Sequence, residues 1–226
     1  MRIAVLGTGM VGQAVAGRLA ELGHDVLVAT RDPEATMARN EPDAMGNPPF
    51  RVWREAHPAV ALAALADAGA QADLIVNATN GASSIAALEA AGEDNLAGKV
   101  LLDIANPLDS SQGMPPSLFV CNNDSLGEQI QRRFPATRVV KALNTLNAHL
   151  MVDPAQLAGA DHTVFVSGDD ADAKATVTGL LESIGWSDVV DLGDIATARG
   201  SEMYVALWVR LWGALGTPMF SIKVVR

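Results

Sequence analysis

The chain has 226 residues, 49% of them hydrophobic, 19% charged and 4% aromatic, and carries a formal charge of −10 from 26 acidic and 16 basic side chains. This composition supports a buried core of one domain or two small ones and excludes a disordered or fibrous chain, while the acidic balance opposes a grip on nucleic acid. The lone Cys121 can form no intramolecular disulfide, and His24, His57, His149 and His162 lack ligand-like spacing, so the sequence predicts a cytoplasmic protein with no metal site.

The apolar run Ile3 to Leu6 reads as a buried strand. A glycine turn follows, then Val11, Val15, Leu19 and Leu22 recur at helical spacing until Gly23 closes the helix. Val26 to Ala29 is the next strand, so the first thirty residues form one βαβ unit. A short helix from Pro33 to about Arg39 leads into a proline-rich excursion over 40–58, where Pro42, Pro48 and Pro49 oppose helix and sheet interior; it reads as a surface segment and a candidate lid. Strands return at Val60 to Leu62 and Leu74 to Ala78, a helix at Ser83 to Ala91, and a strand at Lys99 to Ile104. Alternating short apolar runs and helices predict an α/β, Rossmann-like doubly wound parallel sheet.

Ser110 to Asp124 reads as loop, Ser125 to Phe134 as helix and Arg138 to Leu143 as a sixth buried strand. The pattern changes after Asn144: strand His162 to Ser167, helix Asp172 to Ile184, strand Asp188 to Leu192 and a long apolar helix from Ile195 to Leu215. A boundary near residue 141 divides a dinucleotide-binding portion, 1–141, from a smaller C-terminal α/β portion, 142–226. Met203 to Ile222 is apolar enough to suggest a membrane span. However, Arg210 near its centre would cost about 2.5 to 3.5 kcal/mol, and Gly213, Gly216 and Pro218 interrupt it, so it reads as a core or subunit-interface helix in a protein with no membrane partner.

The strongest motif is GTGMVG, which places Gly7, Gly9 and Gly12 in the pattern G-x-G-x-x-G between a strand and a helix. Gly7 allows the tight turn, Gly9 lets a pyrophosphate approach the backbone and Gly12 lets helix and strand pack closely. At the end of the second strand, Thr30 and Arg31 offer a hydroxyl and a guanidinium suited to a 2′-phosphate, and Thr8 is a further donor; together they favour NADP over NAD. Asp32, one residue on, would instead favour NAD if it faced the ribose.

Ligands in open parallel sheets lie beyond the carboxyl ends of the strands. Asn77, Ala78, Thr79 and Asn80 fall there after the fourth strand, Asn106 after the fifth, and Lys141, Asn144 and Asn147 after the sixth. Their amides suggest a polar wall for a nicotinamide, with turn-forming and capping roles as the alternative. Asp169 and Asp170 of the GDD turn read as helix-capping rather than metal-binding, and Ser83 and Ser84 at the start of their helix as capping rather than anion-binding. Trp208 and Trp212, four apart, have core or dimer spacing.

The order GTGMVG, ATRD, VVKALNT, VFVSGDD, then DLGD and ATARGSEM resembles the deazaflavin-dependent NADP oxidoreductases (NADPH:coenzyme F420 reductases), whose fold is also similar to the NADPH domain of six-transmembrane ferric reductases. The resemblance covers nearly the whole chain apart from 40–58 and 110–123. It implies that Thr8, Gly9, Met10 and Val11 bind the pyrophosphate and that Thr30 and Arg31 take the 2′-phosphate. It further implies that Thr79, Ala142, Asn144 and Leu207 lie near the nicotinamide, with a second redox cofactor, coenzyme F420 or FMN, stacked on its face. Hydride transfer between stacked rings needs orientation and exclusion of water rather than an acid or base, so no catalytic side chain is assigned. Lys141 is the one nearby group suited to an electrostatic or proton-donating part, against the reading of a surface strand-end charge. Where the family carries a bulkier segment with Pro and Trp after the fourth strand, this chain has Asn80, Gly81, Ala82 and Ser83. That leaves open reduction of another small molecule, or binding of NADPH without turnover as a sensor. A homodimer through the last helix completes the expectation.

Overall fold

The computed structural model describes residues 1–42 and 46–226. The chain runs β1 (Arg2–Leu6), α1 (Met10–Glu21), β2 (Asp25–Thr30), α2 (Pro33–Ala38), α3 (Phe50–Ala56), β3 (Ala61–Ala64), α4 (Leu65–Gln71), β4 (Leu74–Asn77), α5 (Gly81–Ala91), α6 (Glu93–Leu96) and β5 (Val100–Asp103). A two-stranded hairpin of β6 (Leu108–Asp109) and β7 (Ser117–Leu118) follows, then α7 (Leu126–Arg133), β8 (Arg138–Ala142), α8 (Ala148–Val152), β9 (Val164–Ser167), α9 (Ala171–Ile184), β10 (Val189–Asp191) and α10 (Ala198–Leu215).

Eight strands form one sheet in the order β10-β9-β8-β5-β4-β1-β2-β3. It is the expected Rossmann-like α/β sheet, parallel throughout except where β8 meets β9, with Lys141 opposite Ser167 and Ala142 opposite Val166. Strands on both sides of residue 141 therefore share this sheet, and its one antiparallel pairing falls where the sequence pattern changes.

Strand β1 shows why its sequence is continuously apolar. Ile3 and Val5 point into one core with Val15 and Leu19 of α1 and Val177 and Leu181 of α9, whereas Ala4 and Leu6 point into the other with Ala68, Leu88 and Ile130. A strand covered on both faces has no side to leave polar. Because β1 lies between β2 and β4, the strand order reverses there, which opens a crevice beyond its carboxyl end.

Three expectations are corrected. The excursion over 40–58 holds a helix: Pro49 stands at the N-cap of α3, where a missing N–H costs nothing, Phe50 is buried, and Trp53 stacks on His57 at 4.2 Å against Gly17 of α1. Residues 43–45, the middle of the candidate lid, lie outside the described residues. Helix α5 starts at Gly81 and is capped by Asn80, whose side chain accepts from the Ala82 N–H at 3.0 Å, so Ser83 and Ser84 are not its caps. The last helix is preceded by a separate 3₁₀ turn over Ile195–Thr197. No helix among the described residues is long and apolar enough to cross a membrane.

Candidate dinucleotide site

The glycine loop sits on the carboxyl end of β1, hung between its neighbours by the Gly7 N–H bond to Ala29 O and the Ala78 N–H bond to Leu6 O, both 3.0 Å. Gln13 of α1 donates to the Thr8 carbonyl at 2.9 Å and holds the turn from below. The glycines have different surroundings. A Cβ on Gly12 would lie 2.1 Å from the Gly7 carbonyl oxygen, whereas a Cβ on Gly9 would meet nothing within 4 Å. Gly12 therefore serves packing, and Gly9 is an exposed backbone edge that a ligand can approach.

That edge borders a cavity of about 610 Å³. Of the residues singled out in the sequence, Gly7, Thr8, Gly9, Thr30, Arg31, Ala78 and Thr79 line it together. Thr36 and Arg39 also line it, and the Thr30 and Thr36 hydroxyls are 3.0 Å apart. Sequence reasoning missed both. Arg39, one residue past a six-residue helix, reads as an ordinary surface charge until the fold turns α2 over the end of β2. Asp32 also borders the cavity, but its Oδ1 caps α2 by accepting from the Ala35 N–H at 2.9 Å. Two guanidinium groups and two hydroxyls thus stand around a space whose floor is a free backbone edge, a combination that fits a nucleotide phosphate.

The other predicted residues are placed differently. Asn106 and Asn144 pair across the ends of β5 and β8: Asn106 Nδ2 donates to the Asn144 carbonyl at 2.8 Å and Asn144 Nδ2 donates to Asn106 Oδ1 at 3.0 Å. Asn144 is therefore not a helix cap; Asn147 caps α8 instead. Met10, Val11 and Ala142 do not line the cavity, and Ala142 is fully buried. Leu207 projects outward from α10 with 53% exposure, away from that lining. Asn77 is fully buried and bonded to Asp103 and Thr79. Lys141, far from being a surface charge, is 1% exposed between Asp103 and Glu202. Asp170 caps α9 as expected, whereas Asp169 does not cap that helix and instead accepts from the Ile195 N–H at 2.9 Å. No metal-ligand cluster occurs among the described residues.

Residues 2–107 match the family described as NADP oxidoreductase, coenzyme F420-dependent. A crystal structure from Arthrobacter sp. FB24, provisionally named an F420-dependent NADP-reductase, is 64% identical over 99% of each chain, with a TM-score of 0.96. The chain belongs to this family of NADP-dependent oxidoreductases. More distant structures share its fold: a hypothetical protein from Sinorhizobium meliloti is 22% identical over 100% of this chain and 96% of that one, with a TM-score of 0.67. A reductive aminase from Aspergillus terreus in complex with NADPH is 18% identical over 95% of this chain and 62% of that one, with a TM-score of 0.62. No curated protein matches the chain.

Proposed function

We propose that this protein is a cytoplasmic enzyme that transfers a hydride between NADPH and a deazaflavin of the coenzyme F420 type. The observation that carries the reading is the gathering of Thr30, Arg31, Thr36 and Arg39 around one cavity beside the open backbone of Gly9. In this reading Thr30, Arg31 and Arg39 hold the 2′-phosphate and the Thr8 to Val11 segment takes the pyrophosphate at the start of α1. The Asn106 and Asn144 turns, with Ala142 behind them, support the nicotinamide half, and residues 142–226 form the acceptor side. Bound NADPH supplies the hydride; the protein orients it and keeps water out. Family membership and the name of the 64% identical relative support the deazaflavin as acceptor.

A second reading, a different small acceptor such as a flavin, an imine or a carbonyl, is favoured by the small side chains of Ala82 and Ser83 in the cavity wall. Anaerobic stopped-flow mixing of the protein with NADPH and oxidised F420 separates them. Bleaching of the deazaflavin with NADPH and not with NADH is the expected result. Tight NADPH binding without bleaching, but with turnover of FMN in the parallel mixture, would move the assignment to the second reading; binding without any turnover would make the protein a sensor.

The same reading includes a homodimer through α10, whose Met203, Leu207 and Leu215 are exposed apolar side chains. Light scattering is expected to give about twice the chain mass of 23.6 kDa, and a monomer mass removes the dimer.

A further inference from the structure

A chain of buried polar groups leads from the cavity wall through the sheet to α10. The Lys141 ammonium lies 2.6 Å from Asp103 Oδ2 and 2.8 Å from Glu202 Oε1, and donates to the Ala105 carbonyl at 2.6 Å. Burial disfavours its charge, but the two carboxylates outweigh burial and raise its pKa above the ordinary lysine value. On its other oxygen, Asp103 Oδ1 accepts from Asn77 Nδ2 at 2.8 Å and from the Ala105 N–H at 3.2 Å. Asp103 therefore faces a donor on each side, as a carboxylate requires.

This fixes the Asn77 amide, because only its NH₂ group can face Asp103. Its Oδ1 must then face Thr79, and both the Thr79 N–H at 3.3 Å and the Thr79 hydroxyl at 2.6 Å reach it. A threonine hydroxyl has one proton and two lone pairs, so with the proton committed to Asn77 only lone pairs remain. The buried Ser84 hydroxyl, 3.0 Å away, can use one of them or turn to the Asn80 carbonyl at 3.3 Å. The other has no protein partner among the described residues, and Thr79 forms part of the cavity lining.

We infer that Thr79 acts toward the ligand only as a hydrogen-bond acceptor, that the Lys141–Asp103–Asn77 relay sets this polarity, and that it selects a donor such as a ribose hydroxyl of the dinucleotide. The inference rests on the NADPH reading above and deepens it. Lys141 is a positioning residue, acting through Asp103 and Asn77. Without its cation Asp103 would be a buried, unpaired carboxylate. With nothing opposite its Oδ2 the Asp103 side chain is free to turn, which releases the Asn77 amide and lets the Thr79 proton swing into the cavity, against the ligand's own donor. The Glu202 end has a separate structural part, since its carboxylate also accepts from the N–H groups of Leu126 and Gly127 at the start of α7, at 2.7 and 2.9 Å.

The test is a double-mutant cycle on NADPH affinity, read by nucleotide fluorescence, with thermal unfolding of each variant alongside. Thr79→Val and Lys141→Met are each expected to weaken binding roughly five- to twentyfold, and Thr79→Ser to stay within about twofold of wild type. Thr79→Val with Lys141→Met is expected to bind within about twofold of Thr79→Val alone, because the relay has nothing left to orient. A purely structural lysine would lower the melting temperature and multiply its loss with that of Thr79. If Lys141→Met does not fold, Asn77→Ala takes its place, cutting the relay beside Thr79 and leaving the ion cluster whole. Unchanged affinity in Thr79→Val, or losses that multiply in the double variant, overturn the inference while the NADPH reading stands. Wild-type protein that fails to bind NADPH overturns both.

Discussion

Replacing Arg31 and Arg39 together by alanine is expected to lower NADPH affinity about a hundredfold and NADH affinity by less than about threefold. Each guanidinium meets a dianionic phosphate in a charge-assisted pair, and hydrogen bonds to charged groups contribute about 1.5 to 3 kcal/mol. Both arginines are exposed on the cavity rim, so the low end applies, about tenfold each. NADH lacks the phosphate and leaves the pair without a specific partner, so the loss should appear in the NADPH titration and fade as salt is raised. Either single variant should recover part of the discrimination. Isothermal titration of both nucleotides against the three variants checks this; equal losses for NADPH and NADH would place the arginines elsewhere on the nucleotide. Because Asp32 caps α2 through the Ala35 N–H, Asp32→Ala should cost helix stability rather than convert the preference.

The strands and the glycine loop were readable because their causes are local. A strand buried on both faces must be apolar at successive positions, and LIVN, VLLD and RVVKA are each buried along nearly their whole length. Helix α4 was not readable: LADAGAQ is short and carries Gly69, which as a helix residue is a cost. Tertiary packing decides there, since a Cβ on Gly69 would stand 2.8 Å from the Ala91 carbonyl where α4 crosses α5. The same holds for the site. Thr30 and Arg31 could be found from their distance to the glycine loop, whereas Arg39 depends on the angle at which α2 leaves β2. Lys141 looked like a strand-end charge because its partners come from distant segments, Asp103 from β5 and Glu202 from α10, and nothing in VVKALNT signals either. A carboxylate ending one parallel strand beside a lysine near the end of the next, which β5 and β8 place opposite each other, is the one pattern that could have suggested the pair.

The last two glycines of the motif, Gly9 and Gly12, should respond to the same substitution in opposite ways. Gly12→Ala places a methyl carbon 2.1 Å from a backbone oxygen and 2.9 Å from its carbon, and neither belongs to a side chain that can rotate aside. Helix α1 must then lift away from the loop. The cost, about 3 kcal/mol even after the gain of about 1 kcal/mol from a better helix former, corresponds to a fall of roughly 6–12 °C in melting temperature for a chain of this size. NADPH binding should fall with it, because the turn and the helix start that face the pyrophosphate would separate. Gly9→Ala meets no atom within 4 Å and its backbone is extended, at φ −77° and ψ −177°, a conformation alanine adopts without strain. Its melting temperature should stay within about 2 °C of wild type, while its methyl group occupies the space a pyrophosphate needs and lowers NADPH affinity at least roughly tenfold. Melting curves and NADPH titrations of the two variants check both halves. A stable Gly9→Ala that still binds NADPH at full strength would mean that the phosphates do not cross the loop at Gly9, and the assignment of this backbone edge would fall.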